Sequence, residues 1–244
     1  MFFGRKTAAS ETPSPFEFEL DGKPVIITPR RHASARRMVL RAARDGEGFA
    51  LTLPRRHSQR AITEFLHASS DWMRNQLARL PAKSVIADGA TIMLRGVEVK
   101  IRTTGKHRGI ISYDAASATL LLPGSEAHLQ RRLTEWLKQQ ALEDLRHATS
   151  TYAAAMGVTY RKISVRDQKS RWGSCTTDGV LSYSWRLILA PPFVLDYVAA
   201  HEVAHLREMN HGPRFWRLVL THCKDTRRAK TWLKQNSNLL HRAV

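Results

Sequence analysis

The feature that most constrains this chain is the run His201-Glu202-Val203-Ala204-His205, which closes an apolar stretch containing Phe193, Val194, Tyr197, Val198 and Ala199. Pro191-Pro192 immediately upstream predicts a helix start, because proline is tolerated in a first helical turn and not inside a strand ladder. Residues i and i+4 of a helix stand one above the other, so both imidazoles can reach one ion while Glu202 leans beside it toward a bound water. A helix that is apolar around its circumference is buried, and buried imidazoles need polar partners. A metal ion supplies one to each. The competing reading is a pair of core histidines satisfied by hydrogen bonds.

His211 lies six residues beyond His205, and Asn210 and Gly212 are suited to ending the helix and turning the chain so that a third imidazole swings back. Three protein ligands and a water form the open arrangement of catalytic zinc, whereas structural sites are closed with four ligands, often cysteines. Neither Cys175 nor Cys223 sits at a familiar ligand spacing, and Cys175 reads as a small packed residue. The expectation is one zinc ion per chain held by His201, His205 and His211, with Glu202 as general base in peptide-bond hydrolysis. Arg171, Trp172 and His222 are the candidates for stabilising the oxyanion. His222 also fits a plain surface histidine.

Charge opens a second class of function. The 244 residues hold 39 Lys and Arg against 21 Asp and Glu, a formal net charge of +18 that attracts polyanions. The alternative to a peptidase acting on polypeptide is therefore a basic, nucleic-acid-associated protein with a structural or vestigial metal site. Arg and Lys interleaved with Trp216 and Trp232 support it. Two cysteines exclude a disulfide framework and fit a reducing compartment, so cytoplasmic residence is expected. No run approaches the ~18 apolar residues of a membrane helix.

The periodicities predict an α+β chain. Residues 1–15 read as a flexible tail rich in Ser, Thr, Pro and Ala, followed by a hairpin and helix subdomain over 16–83 and a catalytic domain over 84–244. Phe16, Phe18 and Leu20 alternate before Asp21-Gly22, predicting a type I′ hairpin, and a second hairpin is expected from Met38 to Leu53 around Asp45-Gly46. Ser58 caps one helix running toward Pro81. Two further hairpins are expected between Ile86 and Leu122, with Ile110-Ile111 in a strand, then a long helix from Ser125 to near Gly157. Strands are expected over Ile163–Val165 and Val180–Leu189, the latter aligning an extended substrate by edge pairing around Ser182 to Leu187.

Three segments, KSRWGSC at 169–175, SWRLILAPPFVLDYVAAHEVAHL at 184–206 and NHGPRFW at 210–216, resemble the YgjP-like metallopeptidases, relatives of the SprT and WLM groups among the zincin-type proteases. The resemblance extends over nearly the whole chain from about Phe16. It implies a zincin-like α+β core with a strand alongside the active-site helix, a zinc site at His201, His205 and His211, and a catalytic Glu202. It also places a signature at Lys169 to Cys175, where Arg171 and Trp172 are the candidates for binding substrate; the alternative is a structural turn with Trp172 packed in the core. Glu208 stands where the metzincin pattern has glycine, which argues against that group.

Overall fold

The computed structural model describes residues 14–43, 48–78, 85–106, 108–168 and 171–244. The chain divides into two compact units, Met1–Leu80 and Pro81–Val244. No helix among the described residues is long and apolar enough to cross a membrane.

In the first unit, β1 (Phe16–Leu20) and β2 (Lys23–Arg31) pair antiparallel with Leu20 opposite Lys23. Asp21 and Gly22 between them have φ of 54° and 74°, the doubly positive backbone of a type I′ turn. β3 (Val39–Ala42) is antiparallel to β4 (Phe49–Leu53), which is parallel to β2, so the sheet runs β1-β2-β4-β3. The expected Asp45-Gly46 turn lies outside the described residues. Ser58 accepts a hydrogen bond from the Ala61 N–H and caps α1 (Gln59–Ala68). The single helix expected as far as Pro81 is instead two, because α2 (Ser70–Ala78) starts after a break at Ser69. The Ser69 hydroxyl donates to Phe65 O at 2.8 Å and the Ser70 hydroxyl to Leu66 O at 3.3 Å, side-chain bonds that compete with the helical ladder. Ile27, Phe49, Leu51, Leu53, Leu66 and Met73 form the core of this unit.

The second unit begins with β5 (Thr91–Leu94), β6 (Val97–Thr103), β7 (Ser112–Asp114) and β8 (Thr119–Leu122), in the order β5-β6-β8-β7. Ile110 and Ile111 precede β7 rather than forming it, and Ile110 is 91% exposed. The strand is placed by the Asp114 turn, whose carboxylate takes hydrogen bonds from the Ala116 N–H and the Ser117 hydroxyl. α3 (Glu126–Met156) buries Leu129, Leu133, Leu137, Ala141 and Leu145 at four-residue spacing and stops at Gly157, whose φ of 61° is left-handed.

A second sheet follows, with β9 (Lys162–Arg166), β10 (Gly173–Cys175) and β11 (Val180–Ser184) in the order β10-β11-β9. Two expectations change here. The strand ends at Ser184, five residues before Leu189, because the Ser184 hydroxyl accepts the Arg186 N–H and opens a 3-10 helix over Trp185–Leu189. β11 is also the central strand, so both its edges are occupied and no peptide can pair along Ser182 to Leu187.

The turn between β5 and β6 docks on that 3-10 helix. Arg95 N–H donates to Ile188 O at 2.7 Å and Gly96 N–H to Leu189 O at 3.3 Å. Pro191 caps and Pro192 begins α4 (Pro192–Ala204), which packs against α3, β10, α5 (Pro213–His222) and α6 (Thr226–Arg242).

Candidate metal centre

α4 carries His201 near its end and buries Val194, Val198, Ala199, Ala200, Val203 and Ala204 around it. The helix ends at Ala204, before the Asn210 to Gly212 stretch expected to end it. His205 is its C-cap, and one tight turn follows through Leu206 N–H to Val203 O and Arg207 N–H to Ala204 O. Gly212 does not turn the chain in the left-handed region; at φ −78° it is the N-cap of α5, with Pro213 in the first turn.

The two helices and their short connection bring the three histidines together. Ring centroids are 5.0 Å apart for His201 and His205, 5.0 Å for His201 and His211, and 4.7 Å for His205 and His211. One ligand atom from each lies within 4.8 Å of the others, and His211 Nε2 approaches His201 Nε2 at 3.0 Å. Nε2 of His205 is left free to face the group because Nδ1–H donates to Glu208 O at 3.1 Å, which fixes the ring's orientation. Burial and the neighbouring imidazoles hold His201 neutral, pushing its pKa down to about 3, and burial also lowers that of His205.

This donor set fits a zinc ion. Bonds of ~2.0 to 2.1 Å in tetrahedral geometry put the ligand atoms about 3.4 Å apart, within the range seen here, and burial favours the lone-pair form of His201 and His205 over the protonated one. Among the described residues no Cys, Asp or Glu joins the cluster, so an ion there keeps an open position.

Glu202 is 5% exposed, and burial pushes its carboxyl up to about 8 while Arg171 pulls it down. Its carboxylate lies against β10, where a Cβ on Gly173 would fall 2.5 Å from Oε1. Arg171 thus acts on the site electrostatically. Trp172 is not brought to the histidines; its ring stacks on His241 of α6 at 4.9 Å. Lys169 and Ser170 lie outside the described residues. Cys175 is half-buried, and burial beside Glu202 raises its thiol to about 11, which suits a packed residue rather than a thiolate. His222, at the end of α5, lines a separate shallow pocket with Arg207, Glu208, Arg214 and Arg217.

Sequence reasoning missed the aromatic wall. Phe215, fully buried, has its ring 4.9, 4.5 and 4.7 Å from those of His201, His205 and His211, and Trp216 stands 5.9 Å from His201 and His211. Lys230 Nζ lies 4.2 Å over the Trp216 ring. The signal for Phe215 was its place in the first turn of α5, close behind His211 in the chain. A cavity of about 470 Å³ opens beside His205, lined in part by Tyr160, Asp178, Leu206 and Met209.

Comparison with known proteins bears on this site. A search of curated proteins returned no match. Two solved metallopeptidase zymogens show slight similarity: Methanocaldococcus jannaschii jannalysin, TM-score 0.35 and 15% identity over 38% of this chain and 89% of its own, and Pyrococcus abyssi abylysin, TM-score 0.34 and 18% identity over 41% and 98%. The sequence profile of the YgjP-like metallopeptidase domain matches residues 36–236. That span includes the three histidines, Glu202 and β10, and the chain belongs to the YgjP-like metallopeptidase family.

Proposed function

We propose that this metallopeptidase is a zinc-dependent endopeptidase in which His201, His205 and His211 hold one ion per chain and Glu202 is the general base. The observation that carries the reading is the convergence of three imidazoles beside the buried side chain of Glu202. Zinc held there supplies a Lewis acid and a water of lowered pKa. Glu202, one position after His201 and ~100° around the helix from it, stands outside the ligand row and would orient that water. Its carboxylate takes the proton of the attacking water and passes it to the leaving amine. Arg171 favours the ionised carboxylate that this role needs.

With β11 enclosed, the outer strands of this sheet are β10 and β9, and β10 is the one in contact with Glu202 and the one we assign to an extended substrate. Pairing along an edge reads main chain rather than a terminal charge, which supports internal cleavage. The test is Glu202→Gln, which keeps shape but removes the basic oxygen. Zinc content stays near one per chain while hydrolysis of an unfolded protein substrate falls at least ~100-fold. Undiminished hydrolysis in a protease-free preparation sinks the assignment.

The net charge of +18 supports the second reading, association with nucleic acid. The three-donor site with a buried carboxylate favours the enzyme over a vestigial metal. Glu202→Gln separates the two, since salt-sensitive DNA binding does not depend on that carboxylate.

A further inference from the structure

The N-terminal unit has a groove that hydrolysis does not use. β3 is one of the two outer strands of its sheet. Ala43 N–H donates to Gly48 O at 2.9 Å, and Arg41 opposite Ala50 and Val39 opposite Thr52 continue that register. Opposed residues of an antiparallel pair alternate between exchanging both main-chain bonds and exchanging neither. Val39, Arg41 and Ala43 are therefore bonded toward β4, and the N–H and C=O groups of Leu40 and Ala42 point out of the sheet along its open edge.

Beside this edge lies a groove of about 740 Å³ between β3 and the two helices. Met38 and Leu40 contribute its strand side, and Phe65 and Trp72 its helix side. Trp72 packs on Phe49 at 5.6 Å yet remains 39% exposed. Arg36, Arg37 and Arg56 gather where β3 begins and β4 has ended, and no carboxylate is among the lining residues.

We propose that this groove docks an extended acidic segment of the polypeptide substrate, which adds as a further strand along β3. The open main chain of Leu40 and Ala42 supplies the ladder. Alternate residues of the added strand point the same way, so its apolar side chains enter between β3 and the helices, while its carboxylates meet the arginines. Arginine beside an exposed aromatic ring also suits single-stranded nucleic acid, but a nucleic acid has no main-chain N–H and C=O to satisfy a sheet edge. Only the identity of the occupant as substrate rests on the peptidase reading.

The test uses the full chain carrying Glu202→Gln and a fluorescein-labelled peptide of five Glu-Val repeats, with binding read by anisotropy and the probe's integrity by mass spectrometry. Saturable binding is expected. Converting Arg37 and Arg56 together to Glu weakens it at least ~10-fold, and so does N-methylation of alternate peptide nitrogens, which removes the ladder without touching the protein. Three results overturn the proposal: no saturable binding to protein shown folded by circular dichroism, equal affinity for parent and N-methylated peptides, or displacement of the peptide by oligo-dT. Because binding is read without hydrolysis, failure here leaves the histidine chemistry standing, and failure of the Glu202 assignment leaves this result standing.

Discussion

Gly173 and Glu202 make a contact that admits no side chain at position 173: a Cβ there would lie 2.5 Å from Oε1, 2.6 Å from Cγ and 2.8 Å from Cδ of the glutamate. Gly173 is not among the residues with positive φ, so close approach, and not backbone conformation, requires the glycine. Gly173→Ala therefore displaces the Glu202 side chain while leaving the imidazoles in place. We expect kcat/KM to fall by about 10²-fold, the scale of a misplacement near 1 Å, with zinc content by elemental analysis unchanged. Wild-type activity in this variant means the contact does not position the carboxylate.

His211 is the exposed member of the histidine group and the one contributed from beyond α4 and its C-cap. His211→Ala should weaken zinc binding by at least about 100-fold in competition with a chromophoric chelator. Stripping zinc from the wild-type chain should lower its thermal midpoint, since an ion at a hundred times its Kd contributes about 2.7 kcal/mol. Full affinity in the variant removes His211 from the ligand set.

Gly96 has φ +78° and leaves no room for a Cβ, which would fall 2.8 Å from Pro191 Cα, while Gly89 has the same φ with nothing within 4 Å. The pair separates backbone strain from docking. Gly89→Ala should cost about 1 kcal/mol, and Gly96→Ala about 1 to 3 kcal/mol more, because the turn can no longer seat on the start of α4. Equal losses in urea unfolding would show that the docking adds nothing.

Arg186, 9% exposed, ties three parts of the second unit together: it donates to Asp167 at 3.0 Å, Leu240 O at 3.1 Å and Val244 O at 3.2 Å. Arg186→Met keeps the bulk but strands these acceptors, at an expected cost of about 2 to 4 kcal/mol in chemical unfolding. Lysine should not rescue it, because one ammonium cannot reproduce the fork. A loss below about 0.5 kcal/mol would contradict this role.

Features set by near neighbours were legible in the sequence. Asp21-Gly22 forms its turn from two residues' own φ preferences, and Ser58 caps α1 through a bond three residues away. Val180 to Leu189, by contrast, looks like one strand, and only the Ser184 cap converts its second half into a 3-10 helix. The α1 pattern likewise continues through Ser69, where hydroxyl bonds to the preceding turn break the helix without disturbing its apolar spacing.

The sequence by itself determined that His201 and His205 face the same way, because any α-helix through them stacks i over i+4, and that Glu202 stands beside them. It also marked His211 as a third donor. Only the tertiary structure decided what surrounds these groups. Phe215 walls the histidines because α5 packs on α4, β10 rather than β11 offers a free edge because β9 occupies the other side, and Gly173 reaches Glu202 from about thirty residues upstream. Trp172, next to that glycine, goes to His241 instead. Helical periodicity acts over four residues of one chain, whereas sheet order and close approach depend on which distant segments meet, and local spacing carries no record of that.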